Sequence, residues 1–326
     1  MKTALFITEQ GSRLVKRGHV LQVYKNRENI FMFPLDNVSQ LILLGRIEVS
    51  SSLLSLLMHL GIDTVFLSRD GRFKGRLSGE CSKNIFLKEQ QYKKRMDDTF
   101  CLSLSRKIIL AKVRNSRNFI RKHNPALLSD IQNRILNAIR SIMIVKDLNV
   151  LRGIEGSFAV LYFSVFSRLL KEKMGFKKRV KHPPNDPINI LLSFGYTLLF
   201  NTVFGLVEAC GLDPYAGFYH QSSYGHPALV SDIVEPYRAP LIDRLVINCI
   251  NHQWITANNF VKENNTLRME DQAVKKFVEL YQKRIFDRLK IDQQHKTIWS
   301  IIQQDVYQLA NYLRGEIQDY QPYIFR

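Results

Sequence analysis

The sequence lacks the patterns that mark secreted, membrane-spanning and nucleotide-hydrolysing proteins. Its four cysteines, Cys81, Cys101, Cys210 and Cys249, are too scattered for a paired zinc site or a disulfide framework, which favours a reducing cytoplasm. It contains no run of about 18 apolar residues and no amino-terminal cleavage signal. It also contains no glycine-rich phosphate loop and no Gly-x-Ser-x-Gly elbow. These absences favour a cytoplasmic protein without a membrane span, without nucleotide hydrolysis and without serine-dependent acyl chemistry.

Acidic residues are scarce relative to basic ones. The 326 residues include 47 Lys and Arg against 29 Asp and Glu, a formal net charge of +18, and the pI is about 9.8. Such an excess repels itself in a compact fold and therefore indicates a polyanionic partner. Nucleic acid is the first candidate and an anionic membrane surface the second, while a basic protein without such a partner stays open. The length favours two domains over one.

Residues 1–83 are predicted to form a small β-sandwich-like domain. Short apolar runs alternate with turn residues, and the Asp70-Gly71 pair between two of these runs is a hairpin signal. One insert, 51–61, has its leucines at helical spacing. The predicted strands are 3–7, 20–24, 30–33, 40–44, 64–68 and 72–77.

Residues 84–326 are predicted to form a larger all-α domain, so that the fold class is α+β. Prolines are nearly absent between Pro34 and Pro183, which leaves room for long helices. Apolar residues here repeat every 3.6 positions along single stripes. Two such stripes are Val274, Phe277, Val278, Tyr281 and Ile285, and Ile302, Val306, Leu309, Leu313 and Ile317.

Glu155 is the first residue that points to chemistry. It lies in the segment Gly153-Ile-Glu-Gly and is expected to open a helix whose apolar face includes Phe158, Tyr162 and Phe166. A carboxylate on such a face is costly to bury without a partner. A first-turn glutamate that is stabilised by the helix dipole is the alternative.

Further ligand candidates follow in two segments. His220 ends the run Gly-Phe-Tyr-His, where a packed histidine is the alternative to a metal ligand. Asp232 and Glu235 stand three residues apart, so a helix would place both carboxylates on one face, able to converge on one cation. Pro236 disfavours helical dihedrals at Glu235, and a solvated acidic turn is the alternative. With Glu155 added, this oxygen-rich set with one imidazole suits Mg²⁺ or Mn²⁺ and phosphodiester chemistry.

A basic segment lies between Glu155 and His220. Its cations outnumber its single acidic residue, Glu172, and beside a metal site such a segment indicates contact with DNA phosphates. A solvated surface loop is the alternative. The cations are Lys171, Lys173, Lys177, Lys178, Arg179 and Lys181. Arg238 is expected to contact a phosphate or to pair with Glu235, and further cations between 93 and 122, Lys112 among them, extend the positive surface.

Four motifs occur in a fixed order between residues 151 and 243. They are Gly153-Ile-Glu-Gly with Tyr162-Phe163, His182-Pro-Pro-Asn-Asp-Pro with Leu191-Leu-Ser-Phe-Gly-Tyr196, Gly211-Leu-Asp-Pro with Gly217-Phe-Tyr-His220, and Asp232-Ile-Val-Glu-Pro-Tyr-Arg238. In order and spacing they resemble the CRISPR-associated integrase family, the universal core enzyme of CRISPR spacer acquisition. The β-then-helical layout resembles that family over the whole chain.

The resemblance implies a metal-dependent DNA endonuclease and integrase. Such an enzyme inserts prespacer DNA into a CRISPR array by attack of a 3′-hydroxyl on repeat-boundary phosphodiesters. By motif match, Glu155, His220 and Glu235 hold one Mg²⁺ or Mn²⁺ ion, and Asp232 falls on a nearby acidic position that supports activity.

For other motif positions the resemblance implies a role that is less specific than metal binding. Tyr162, Tyr196 and Arg238 match positions where DNA contact or support of the site is expected. The basic segment departs from the family's Gly-Arg-x-Arg-Arg pattern, since lysines replace some of its arginines. Charge is mostly kept, but the bidentate guanidinium contacts are partly lost.

The resemblance also implies partners. Family members form homodimers through the β domain, while the helical domain carries catalysis and binds DNA. Two dimers flank a dimer of a small ferredoxin-like adaptation protein and together hold a double-stranded prespacer. Two alternatives stay open, namely a stand-alone nuclease for branched DNA and an architectural DNA-binding protein without catalysis.

Overall fold

The computed structural model of the chain describes residues 3–79, 84–180, 183–221, 223–263, 266–291 and 294–325. Lys181 of the basic segment therefore lies outside the described residues. The amino-terminal part consists of strands and one helix, α1 (Ser51–His59). The strands are β1 (Thr3–Ile7), β2 (Ser12–Arg17), β3 (Val20–Lys25), β4 (Glu28–Pro34), β5 (Val38–Leu44), β6 (Ile47–Val49), β7 (Asp63–Leu67) and β8 (Phe73–Leu77).

These strands form two four-stranded sheets over a common core. One sheet has the order β4-β3-β2-β6, and the other has the order β1-β5-β7-β8, in which β8 alone runs antiparallel to its neighbour. Asn26 and Arg27, with φ of 50° and 70°, form the tight turn between β3 and β4 that suits the twist of paired strands. Leu14, Leu21 and Leu41 pack in the core between the sheets and α1. The prediction of a sandwich-like β domain is confirmed.

Strand β5 is buried on both of its faces. Leu41 and Leu43 pack in the sandwich core, whereas Ile42 and Leu44 belong to the larger core that includes the helices. Successive side chains of a strand point to opposite faces, so one sheet serves both cores. The predicted boundary at residue 83 lies outside the described residues, but the β-rich and helical parts on either side of it share this sheet as a common wall.

Helices dominate the described chain after residue 84. Several begin at an aspartate or asparagine whose side chain accepts backbone N–H groups of the first turn, as Asp147 and Asp186 do. The predicted apolar stripes near the end of the chain are buried on α9 and α10, except that Ile317 lies beyond the end of α10 and is half-buried. The helices are α2 (Ile85–Arg95), α3 (Asp98–His123), α4 (Pro125–Ile144), α5 (Leu148–Leu169), α6 (Pro187–Cys210), α7 (Ala228–Val234), α8 (Arg244–Asn251), α9 (Asp271–Phe286) and α10 (Ile298–Arg314).

The sequence patterns do not predict the short strands. Strands β2 and β6 are not among the predicted ones, because β2 is rich in basic residues and β6 has three residues. The helical domain also contains two hairpins, β9 (Phe260–Glu263) with β10 (Thr266–Met269), and β11 (Arg288–Ile291) with β12 (Gln294–Thr297). Strands of four residues are too short to show an alternation that stands out from a helical pattern.

Two helices, α5 and α6, are long and apolar enough to cross a membrane by length and composition. Both are elements of the folded helical domain. Helix α6 is mostly buried and carries hydrogen-bonded polar side chains, such as Asn201 and Thr202, within the core. Helix α5 packs against α3 and α4.

Candidate active site

Glu155 lies well inside α5, not at its start. The helix begins at Leu148, where Asp147 accepts hydrogen bonds from the N–H groups of Asn149 and Val150. Glu155 is therefore in the third turn, beyond the reach of the dipole at the helix start. The expectation that Glu155 opens the helix is wrong, because the aspartate cap lies further back, at Asp147. The Glu155 side chain is 22% exposed, and Leu151 on the same stripe is fully buried.

Glu235 continues the helical path of α7. Its φ of −56° and ψ of −46° are helical although Pro236 follows, and the chain goes on into a 3₁₀ turn (Glu235–Tyr237) and a π-helical turn (Arg238–Asp243). Asn115 of α3 donates a hydrogen bond of 2.9 Å to the Pro236 carbonyl and so ties this irregular backbone to the core. The Glu235 side chain is 6% exposed. A π-helical turn of this kind is frequent at functional sites.

Lys112 of α3 joins the two glutamates. Its ammonium forms an ion pair with Glu155 and lies 2.6 Å from Oε2 of Glu235. Burial by itself would lower the pKa of Lys112, but Glu235 and Glu155 together raise it above its ordinary value. Lys112 was expected on the positive surface, and it lies instead at the centre of the site. The sequence signal was a lysine on a stripe of α3 with Ile109 and Ser116, both buried.

Arg238 lies on the other side of Glu235. Its guanidinium is 3.0 Å from Oε1 of Glu235 and stacks on the Tyr196 ring at 4.7 Å from the centroid. Burial disfavours the charge on Glu235, but Arg238 and Lys112 outweigh it and lower the pKa of this carboxyl to about 2. Glu235 is thus ionised at neutral pH. Of the two predicted roles for Arg238, the structure shows the pairing with Glu235.

Asp232 holds His220 in place. It is fully buried and accepts three backbone N–H groups, those of Phe218, Tyr219 and His220, at 2.7 to 3.0 Å. It also bonds Nδ1 of His220 at 2.7 Å, which leaves Nε2 facing Glu235 at 3.9 Å from Oε1. Both Asp232 oxygens are therefore engaged, and the expectation that Asp232 and Glu235 converge on one cation is not met. Asp232 orients the imidazole instead.

The loop before His220 can approach α7 because position 217 is a glycine. A Cβ atom at Gly217 would lie 2.6 Å from the backbone carbon of Ala228, at the start of α7. Any larger side chain would push the loop away from the buried Asp232 carboxylate. The Gly-Phe-Tyr-His run is thus explained by close packing as well as by its histidine.

Asp243 anchors the opposite wall of the site. It is buried and accepts hydrogen bonds from the hydroxyls of Tyr162 and Tyr196, at 2.6 and 2.5 Å. Burial raises its pKa to about 6, although both tyrosines and Arg238 act in the opposite direction. Tyr162 is 4% exposed, so of its two expected roles the geometry favours support of the site over DNA contact. Asp243 is absent from the predicted site, although an aspartate within an apolar run is the same signal that singled out Glu155.

The residues fit a hard divalent cation by their chemistry. Within the described ranges, no three histidine, cysteine or acidic side chains stand close enough to share one ion. The Lys112 ammonium instead lies between two of the three predicted ligands, and Oε2 of Glu235 is buried with no hydrogen bond from any other described residue. Two carboxylates and one imidazole nitrogen are ligands that Mg²⁺ and Mn²⁺ accept. A cation already occupies the place between the glutamates.

The site opens into a cavity of about 480 Å³. Glu155, His220 and Glu235 line it together with three members of the basic segment, Lys177, Lys178 and Arg179. The two lysines are exposed. Arg179 is half-buried and donates to Asn189 and Ser193 at 2.9 and 3.0 Å, so its charge is fixed in the wall. The basic segment and the predicted ligands, distant in sequence, therefore face one cavity.

Comparisons with known proteins identify the family of the chain. The family model described as "CRISPR associated protein Cas1" matches residues 5–283. The "CRISPR-associated endonuclease Cas1 1" of Chlorobaculum tepidum is 32% identical over 99% of this chain and 98% of its own length. The "CRISPR-associated endonuclease Cas1 3" of Thermus thermophilus is 31% identical over 99% of this chain and 97% of its own.

A solved structure extends the likeness to three dimensions. A chain of the "Cas6-RT-Cas1--Cas2 complex" superposes with a TM-score of 0.84 and 26% identity, and the match covers 99% of this chain and 36% of that one. The sequence match, the shared fold and the order of the site motifs are mutually consistent. The chain is therefore a member of the CRISPR-associated Cas1 family.

Proposed function

We propose that this protein is a metal-dependent DNA endonuclease and integrase that inserts prespacer DNA into a CRISPR array. One observation carries the proposal. Glu155, Glu235 and His220, which are distant in sequence, line a single open cavity whose wall is formed by cations of the basic segment. A polyanion in this cavity is near the exposed Lys177 and Lys178 as well as the buried Glu235. Membership in the Cas1 family supports the same assignment.

Glu155, Glu235 and His220 are the residues that would hold Mg²⁺ or Mn²⁺. Such an ion neutralises charge on a reacting phosphate and makes a water or hydroxyl more acidic. The side chains around it have separate tasks. Asp232 keeps Nδ1 of His220 engaged, so that Nε2 is directed at the site, and Arg238 keeps Glu235 ionised and in position.

The proposed reaction is a transesterification. A prespacer 3′-oxygen forms a bond to phosphorus at the repeat boundary, and the bond from that phosphorus to the adjacent 3′-oxygen of the repeat strand breaks. The attacking hydroxyl loses its proton, and the departing oxygen gains one. One phosphodiester bond replaces another, so no energy source is required. When water takes the place of the attacking hydroxyl, the same site cleaves DNA.

The binding partners are part of the proposal. Double-stranded DNA, both prespacer and repeat, fits the net charge of +18 and the basic cavity wall. A homodimer through the β domain and a small ferredoxin-like partner protein are proposed with it, in a prokaryotic cytoplasm. The "Cas6-RT-Cas1--Cas2 complex" named above contains Cas2, which supports the proposal of a protein partner.

The decisive experiment is strand transfer of a labelled prespacer into a supercoiled plasmid that carries a CRISPR repeat, with and without the small partner. We expect joined product with Mg²⁺ or Mn²⁺ and none after chelation. Robust cleavage in excess EDTA would refute the metal site. Cleavage of branched DNA without any strand transfer would instead favour the stand-alone nuclease.

Ligand variants separate chemistry from binding. Glu155→Ala, His220→Ala and Glu235→Ala should each abolish strand transfer yet still shift DNA in a gel, because the basic wall is retained. A double variant should do little more harm than a single one, since these side chains act as a unit. Glu172→Ala, an exposed glutamate of the basic segment, is the matched control. A folded Glu155→Ala protein that integrates at the parental rate would overturn the site and favour an architectural role.

A further inference from the structure

A second cavity, of about 350 Å³, lies on another side of α3 from the active site. Lys112 and Ser116 of this helix line the active-site cavity, whereas Asn115 and Phe119 line the second one. The end of the π-helical turn also separates the two cavities, because Asp243 lines the first and Arg244 lines the second. They are therefore neighbours separated by α3 and this turn.

The second cavity is strongly basic. No acidic side chain of the described residues lines it, and its basic lining consists of Lys122, His123, Arg244, Arg284 and Lys290. Within the described part of the chain, the two arginines and two lysines form no ion pair with any carboxylate. Asp287 favours the charged form of Arg284 from a distance but forms no ion pair with it. Four unpaired cations thus share one concave surface.

Such an arrangement is costly without an anion. Arg284 is half-buried, and its Nε is buried with no hydrogen-bond partner among the described residues. Burial lowers the pKa of Arg284 to about 10, and the nearby charge of Arg244 adds to this effect. Burial also lowers the pKa of His123, with Arg244 and Lys122 acting in the same direction. Arg244 and Arg284 are both half-buried, and an unpaired cation that is buried in part is stabilised by a ligand that supplies the opposite charge.

The remaining polar groups of the cavity are already used by the protein. Asn115 Nδ2 donates to the Tyr323 carbonyl at 2.9 Å, and Asn118 Nδ2 donates to the Phe325 carbonyl at 2.8 Å. These bonds fix the carboxy-terminal segment as one wall of the cavity. The donors left for a ligand are therefore those of the cations, and Arg244 and Arg284 offer the forked geometry that matches phosphate oxygens.

We infer that this second cavity is a phosphate-binding site for a DNA strand that runs past the active-site cavity. The inference rests on the proposed function, because that function brings DNA to the neighbouring active-site cavity. The recognised group is a phosphate, and it can come from a DNA backbone or from a free phosphate ion. Backbone phosphate follows from the position of the cavity, next to the one where the strand reacts.

The test compares DNA binding of the parent and the Arg244→Gln/Arg284→Gln variant as salt is varied, in EDTA so that no reaction occurs. The control variant is Arg140→Gln/Lys283→Gln, which removes two exposed cations outside the cavity. Losing one or two phosphate contacts should flatten the salt slope on duplex DNA by about 1 to 2 and weaken binding roughly 5- to 30-fold at 0.15 M salt. The control variant should change the salt slope and the affinity by no more than half of the change seen in the cavity variant.

A second arm distinguishes the source of the phosphate and checks folding. Without an anion, Arg284→Gln should melt no lower than the parent, since it removes an unpaired cation. If the cavity variant keeps the parental salt slope while inorganic phosphate raises the melting temperature of the parent alone, the site takes free phosphate and the DNA assignment is wrong. If neither quantity responds, the phosphate site itself is wrong. A flattened slope in a protein that performs no strand transfer would leave the site standing and sink the proposed function.

Discussion

Lys112→Met is the perturbation that tests the arrangement of the active site most directly. In the absence of metal, the change removes the cation that pairs with both Glu155 and the buried Glu235. Breaking a buried ion pair by removing one partner costs about 3–5 kcal/mol. Arg238 still pairs with Glu235 at 3.0 Å, so we expect the lower end, about 3 kcal/mol. For a chain of this size that corresponds to a fall in Tm of roughly 4 °C.

Metal should narrow the difference in stability between the variant and the parent. A divalent ion that binds the glutamates has to displace the ammonium in the parent but not in Lys112→Met. The variant should therefore bind Mn²⁺ more tightly, and a tenfold gain in affinity adds about 1.4 kcal/mol of stabilisation under saturating metal. Thermal unfolding in EDTA and in Mn²⁺, together with calorimetric titration of Mn²⁺, measures both effects without any assay of catalysis.

The control for this prediction is Lys146→Met, an exposed lysine without an ion pair in the described structure. It should change neither the Tm in EDTA nor the affinity for Mn²⁺. Suppose that Lys112→Met has the same Tm as the parent in EDTA and binds Mn²⁺ with parental affinity. The Lys112 ammonium then neither stabilises the two carboxylates nor competes with the ion. The central role of Lys112 in the site would then be refuted.

Three further predictions address other parts of the structure. Asp232→Asn should lower strand transfer about 10- to 100-fold with little change in DNA affinity, because it loosens the orientation of His220, and parental activity would contradict this role. Lys177→Gln/Lys178→Gln should flatten the salt dependence of duplex binding by up to about 1.8, and an unchanged slope would mean that these lysines are only solvated. Burial raises the pKa of Asp305 to about 7 from 3.8, so its contribution to stability is complete below about pH 4 and is lost as pH rises through about 7. Asp305→Asn should remove this part of the pH dependence of Tm, and an unaltered profile would refute the assignment.

Local patterns were sufficient for much of the fold. The strand 3–7 and the helical insert near 51–61 appear as β1 and α1, because alternation and 3.6-residue spacing are properties of short stretches. The stripes of α9 and α10 are buried as expected, although α10 ends at Gly315, whose φ of 78° stops the helix before Ile317. The ends of helices and strands, and short strands such as β6, were harder to predict from the sequence, since they depend on pairing partners elsewhere in the chain.

The sequence by itself determined the chemical character of the site. Motif order singled out Glu155, His220 and Glu235, and the charge excess indicated a polyanionic substrate. Both properties are carried by residue identity and spacing, which need no knowledge of contacts.

Only the tertiary structure decided how these groups act on one another. Lys112 lies 43 positions before Glu155, and Tyr162 lies 81 positions before Asp243, so no local pattern indicates either pair. A lysine that looks like one of many surface cations becomes the central charge of the site because α3 packs against α5 and the turn that carries Glu235. Electrostatic effects of this kind depend on distance and burial, and the packing of the helices sets both.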